Sequence, residues 1–147
     1  MSTAKTTKAV VQQLFGHLQE GDMQGAQELM TEDATWRVSG HPESIPLAGT
    51  YCKHELPGLM AMVGKAMPNG IRMAVTGITA DDTRATVEAE VHGVSPAGKV
   101  YDNRNCFVVD VQDGQVSAIR EYYDTIHTNE VLFGIAYPDG TLPHEHH

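Results

Sequence analysis

Cysteine is scarce in this chain: Cys52 and Cys106 are the only two in 147 residues. Two thiols in no pattern exclude a disulfide scaffold and a cysteine-based zinc site, and make a reduced, cytoplasmic protein the expectation. Positive charge is also scarce. Ten Lys and Arg stand against 19 Asp and Glu, a formal net charge of −9, which leaves no basic footprint for nucleic acid. No run of about 18 apolar residues occurs, so no membrane-spanning helix is expected. The opening MSTAKTTKAVVQQLF lacks the charged, apolar and cleavage regions of a secretory signal.

The chain is long enough to bury one real core. Apolar residues at Val10, Val11, Leu14, Phe15 and Leu18 paint one stripe on a helix over about 3–20, which Gly21 ends. Asp22 is a good N-cap for a short second helix containing Ala26, Leu29 and Met30. Thr31-Glu32-Asp33 breaks it, and Thr35 to Val38 reads as a short strand. After a Gly- and Pro-containing loop comes a third helix, about His54 to Met67, with Pro57 tolerated in its first turn. Strands are then expected over Ile71 to Thr79, Thr83 to Val94, Lys99 to Val111 and Gln115 to Thr125, joined by turn-forming residues. A short helical turn over Asn129 to Gly134 precedes a loose tail from 136 to 147. The expectation is one α+β domain over 1–135, a sheet curled around three N-terminal helices.

The segment YDNRNCFVVDVQDGQVSAIREYYD, Tyr101 to Asp124, carries the most information. It reads as two long strands whose apolar face, with Phe107, Val109 and Ile119, also carries Asn103, Asn105 and Glu121. Polar groups on an apolar face are costly to bury without partners, and make most sense as the lining of a cavity. Their grouping depends on the turn. A three-residue Gln112-Asp113-Gly114 loop would pair Phe107 with Ile119, Asn105 with Glu121 and Asn103 with Tyr123. A two-residue Asp113-Gly114 loop would shift the register by one and turn Glu121 away. The three-residue loop is preferred because it gathers the apolar side chains on one face.

Three stretches resemble the nuclear-transport-factor-2-like superfamily. FGHLQEGDMQGAQELMTEDATWRVSG is similar to its opening helices and first strand. IPLAGTYCKHELPGLM is similar to the loop into its third helix. YDNRNCFVVDVQDGQVSAIREYYDT is similar to the closing hairpin of its SnoaL-like and ketosteroid-isomerase-like branches. The resemblance spans about Val10 to Phe133. It implies a cone-shaped roll with a mixed, largely antiparallel sheet, a homodimer, and a hydrophobic pocket for a small organic molecule, with no cofactor. Because that scaffold hosts isomerases, cyclases, hydrolases and non-catalytic binders, it implies fold more than function.

Taken position by position, the resemblance is selective. Ketosteroid isomerases carry a Tyr, an Asp base and a protonated Asp where this chain has Leu14, Val38 and Asn105, so only Asn105 can still donate a hydrogen bond. Epoxide hydrolases of the limonene type carry an Asp-Arg-Asp set; its two acids match Glu121 and Glu90, while Glu88 replaces the Arg. Their Tyr and Asn fall near Trp36 and Val38. SnoaL-like cyclases carry an acid at the position of Glu121 and a His at that of Phe107.

Glu121 is therefore the leading catalytic candidate, an acid or base whose pKa desolvation would raise, with Asn105 steadying a developing oxyanion. The plainer reading is an exposed strand Glu paired with Arg104 or Arg120. The expected substrate-binding residues are Trp36, Tyr51, Glu90, His92, Asn103, Phe107, Ile119 and Tyr123. For Glu90 and His92 the resemblance alone points inward; alternation with Val87, Ala89 and Val91 is as well explained by a polar face turned to water. Packing alone could place Trp36 and Tyr51. A structural module that dimerises through an outer face bearing Tyr101, Asp102 and Tyr122 is the remaining alternative. No metal site is expected; the tail histidines His144, His146 and His147 are most simply free.

Overall fold

The computed structural model describes residues 3–136. Its elements are α1 (Ala4–Gln19), α2 (Met23–Glu28), β1 (Met30–Val38), β2 (Gly49–Cys52), a 3-10 turn (Lys53–Glu55), α3 (Leu56–Ala66), β3 (Ile71–Ala80), β4 (Arg84–Val94), β5 (Val100–Gln112), β6 (Gln115–Tyr122) and α4 (Thr125–Phe133). The tail histidines lie outside the described residues.

Local chemistry sets the helix ends. The Thr3 hydroxyl accepts from the Thr6 amide and the Thr6 hydroxyl accepts from the Thr3 amide, closing the start of α1. Gly21 takes φ +72°, which lets the chain reverse, and Asp22 then caps α2 by accepting from the Gly25 amide. Pro57 sits in the first turn of α3, where its missing amide hydrogen costs nothing.

The six strands form one curved, unclosed sheet in the order β2-β1-β6-β5-β4-β3. The β1–β6 pair is parallel and the others are antiparallel. Alternation puts Trp36 and Val38 of β1, Val87 and Ala89 of β4, and Phe107 and Val109 of β5 on the buried face. That face packs on Val11, Leu14 and Phe15 of α1 and on Leu56 and Leu59 of α3. Phe15 meets Phe107 edge-on at 4.9 Å between ring centres, and each such side chain contributes about 1.5–3 kcal/mol by leaving water. The expected α+β roll is the observed architecture.

Several details differ from the sequence reading. Strand β1 begins at Met30 rather than Thr35, and the expected break over Thr31–Asp33 shows instead as a shift in its pairing with β6. Strand β2 was not anticipated; its four residues hydrogen-bond to the end of β1. Helix α4 starts at Thr125, four residues before the expected turn, because Asp124 caps it by accepting from the His127 amide.

The β5–β6 hairpin also differs. Its turn is the two-residue Asp113-Gly114, with φ +52° and +78°, the pair of positive values that a type I′ turn requires. Gln112 therefore pairs with Gln115 and Val111 with Val116. A bulge at Ser117 adds one residue to β6, so Asp110 pairs with Ala118, Val109 with Ile119 and Phe107 with Glu121. The expected Asn105–Glu121 pairing is thus off by two residues. The turn and the bulge each shift the register by one, and because side chains alternate with period two the total of two leaves Glu121 on the face of Phe107 and Asn105.

Candidate functional site

The concave side of the sheet does not fill completely. A cavity of about 290 Å³ remains between the sheet, the end of α1, α3 and α4. Its walls are mostly apolar, with Leu59 and Val63 from α3, Val38 from β1, Phe107 from β5 and Leu132 from α4. Met60, Gly70 and Ile71, all exposed, stand at its opening side. Glu121 and Asn105 line the same space.

Glu121 is half-buried as a residue, and its carboxyl is the part withdrawn from bulk water. Burial pushes this carboxyl up from its ordinary value to about 7, against the pull of two hydrogen bonds that favour the charged form. The Trp36 indole N–H donates to Oε1 at 2.9 Å and the Asn105 amide N–H donates to Oε2 at 2.7 Å. Trp36 and Asn105 are 6 % and 8 % exposed, so the two donors are held by the core. Each oxygen has one fixed N–H and lone pairs to spare. Such a group exchanges a proton readily near neutral pH.

Asn105 is arranged differently from the expectation. Its Nδ2 is engaged by Glu121, while its Oδ1 is buried without a hydrogen-bond partner among the described residues. The free end of the amide is an acceptor, which repels an oxyanion.

The other sequence candidates scatter. Phe107 lines the cavity. Ile119 is 1 % exposed within the core behind it. Tyr51 packs on the core and donates to the Leu47 carbonyl at 2.8 Å; Tyr123 donates to the Ser39 carbonyl at 2.8 Å. Asn103 is buried in a polar knot, with Nδ2 on Tyr101 Oη, the Asp124 carbonyl and Thr128 Oγ1, and Oδ1 accepting from the Asp124 amide. It fastens α4 to β5.

Glu90 and His92 require correction. Both are exposed and alternate with buried Ala89, Val91 and Gly93, which places them on the convex face of β4 away from the cavity. Their alternation with apolar residues reports the polar face of a half-buried strand. Glu88 is exposed on that face too, near Arg104, Cys106 and Tyr122 around a shallow depression. Among the described residues no three or more His, Cys, Asp or Glu gather as a metal site. No helix among them is long and apolar enough to cross a membrane.

Tyr101 also stands elsewhere than expected. It is 4 % exposed, lines the cavity, and stacks on His127 at 5.2 Å, rather than standing on the outer face. Burial pushes its phenol up. Strand alternation from Asn103 and Asn105 would have put it inside.

A curved α+β roll enclosing an apolar cavity with one carboxyl defines the class. The SnoaL-like domain model matches residues 11–119, and the chain belongs to that family. Several solved structures share the fold. An NTF2-like protein from Burkholderia xenovorans is 22% identical, with 90% of this chain and 99% of that one covered and a TM-score of 0.72. Bal32a, from a soil-derived mobile gene cassette, is 20% identical over 88% and 98% of the two chains, at 0.77. TerC, co-crystallised with polyporic acid, is 17% identical over 86% and 98%, at 0.77. No curated protein matches the sequence.

Proposed function

We propose that the cavity binds a small, largely apolar organic molecule and that Glu121 moves a proton on it, as in a cofactor-independent isomerase or aldol-type cyclase. The observation that carries this reading is the Glu121 carboxyl, with its pKa near 7 in an apolar cavity of ligand size. The volume is about twice the ~150 Å³ of an engineered apolar cavity that takes benzene, so a neutral two-ring molecule is the scale of occupant. That TerC has been crystallised with an organic molecule supports the same kind of occupant.

In the step envisaged, the Glu121 carboxylate takes a proton from a carbon beside a ligand carbonyl. The C–H electron pair becomes a C=C bond and the carbonyl pair moves onto oxygen. Glu121, now the acid, delivers its proton to oxygen, or to a second carbon, and is again a carboxylate. Trp36 and Asn105 hold the carboxyl in place. Water addition to an epoxide is less well supported, because Glu88 and Glu90 lie on the other face.

A second reading, binding without turnover, is favoured by apolar Leu14 and Val38, which stand where ketosteroid isomerases have a Tyr and a base. We assign the expected homodimer to the convex face, where Val94, Val100 and Tyr122 are exposed. Deuterium exchange at the α-carbon of 2-tetralone, followed by NMR at pH 8, separates the two readings. Proton transfer predicts acceleration by the native protein and its loss in Glu121→Gln with binding retained. Binding with no acceleration by either protein would leave the non-catalytic reading.

A further inference from the structure

Among the described residues three glycines line the cavity: Gly21, Gly64 and Gly70. Gly21 and Gly70 have a backbone reason to be glycine, since they take φ +72° and +85°. Gly64 has none. It lies within α3, in ordinary helical backbone, where glycine is destabilising relative to alanine. Close packing does not demand it either, because a Cβ added there would meet nothing within 4 Å among the described residues.

A side chain at that position would enter the mouth of the cavity. Met60, Val63, Gly64 and Met67 recur at the spacing of a single helix face, and all four line the cavity. Helix α3 thus turns an apolar face inward with one side chain missing from it. Gly64 and Met60 are exposed, whereas the Glu121 carboxyl is withdrawn from bulk water. The gap therefore stands at the open end of the cavity and the acid at the closed end. Methionine is unbranched and adaptable, so Met60 and Met67, one turn to either side, can move aside for an occupant.

We propose that the ligand extends out of the cavity through the gap at Gly64, and that Gly64 sets the length of molecule the site accepts. The inference rests on the reading of the cavity as the site of a neutral two-ring ketone whose α-carbon faces Glu121. It adds a substituent to that ketone: an apolar chain on the ring remote from the carbonyl, running out past Met60. With the carbonyl at the closed end, the remote ring lies under α3. A chain on that ring leaves water for the flanks of Met60 and Met67 and gains affinity. A chain beside the carbonyl meets the buried wall of Trp36, Val38 and Phe107 and gains nothing.

Isothermal titration of the full-length protein with 2-tetralone, 6-butyl-2-tetralone and 1-butyl-2-tetralone at pH 7.5 tests this. The two butyl ketones are equally apolar and differ in where the chain sits. The native protein should bind the 6-butyl ketone on the order of tenfold tighter than 2-tetralone, and the 1-butyl ketone no tighter than 2-tetralone. In Gly64→Leu the preference for the 6-butyl ketone should fall to about twofold or less. Gly64→Ala, a better helix former than glycine, is the second variant should the first not fold, with a preference of about threefold. Gly58→Leu adds the same side chain to α3 at a position that does not line the cavity, and should keep the full preference.

A native protein that binds 2-tetralone but the 6-butyl ketone no tighter would overturn the exit at Gly64 and leave the cavity reading standing. Equal binding of the two butyl ketones would trace the gain to apolarity alone and overturn it as well. So would a preference that survives in the folded Gly64 variants, or one that Gly58→Leu abolishes equally. Loss of 2-tetralone itself in Gly64→Leu would put the rings, not the chain, over that residue, and the exit would fall. Binding of none of the three ketones would overturn the cavity reading, and the exit with it.

Discussion

Asn105 donates to Glu121 at 2.7 Å although the two residues do not face each other across the hairpin; Glu121 faces Phe107, and Asn105 reaches it on the diagonal, two residues along β5. Diagonal neighbours on one face are within reach of long side chains. The contact exists because Ser117 bulges. Without that extra residue the two-residue turn would send Glu121 to the convex side.

Glu121 should make the protein less stable as pH rises. Its native pKa of about 7 lies above the ordinary 4.5, so between these values the native state holds a proton that the unfolded chain has released. The penalty is absent below about pH 4.5, grows through the window and is complete above 7, on the order of 3 kcal/mol. Glu121→Gln removes it. Urea unfolding at pH 5 and pH 8 should show the native protein losing stability across this interval more steeply than the variant. Parallel slopes in the two proteins would contradict the assignment.

Asn103→Ala should loosen α4. The substitution removes three hydrogen bonds that join β5 to Asp124 and Thr128 and a fourth to Tyr101 on the same strand, and leaves their buried groups short of partners. A loss of about 2–3 kcal/mol is expected. Amide exchange should quicken selectively over 125–133, which hydrogen-exchange mass spectrometry reads directly.

Gly93→Ala should crowd the cavity opening. An added Cβ would lie 2.7 Å from Ile71 Cγ2, 2.9 Å from the Gly70 carbonyl oxygen and 3.0 Å from Met67 Cε. The carbonyl belongs to the backbone and yields less easily than a side chain, so a cost of about 1–3 kcal/mol is expected. Gly70, Ile71 and Met67 all line the cavity, so affinity for 2-tetralone should fall as well. Unchanged melting temperature and affinity would show that this corner gives way.

Much of this was legible in the residues, and the failures have identifiable causes. The helix stripe of Val11, Leu14 and Phe15, the Asp22 cap and the polar residues on the face of Phe107 all follow from period and capping chemistry. The bulge at Ser117 was not legible, since nothing in Gln115-Val116-Ser117-Ala118 distinguishes a bulged residue from a paired one. Strand β2 was hidden because four residues carry too little pattern to stand apart from a loop. Helix α4 starts earlier than expected because Asp124, inside the strand expected over Gln115 to Thr125, caps a helix with its side chain. For Glu90 and His92 the resemblance outweighed simple alternation, and alternation describes where they are.

Trp36 is the only tryptophan in the chain, and its indole N–H touches Glu121 Oε1. Its fluorescence therefore reports the charge on that one carboxyl. Titrating the emission from pH 5 to 9 should give a single transition with its midpoint near 7 in the native protein, and none in Glu121→Gln. A flat native trace, or a transition centred near the ordinary carboxylate value, would contradict an enclosed acid poised for proton transfer.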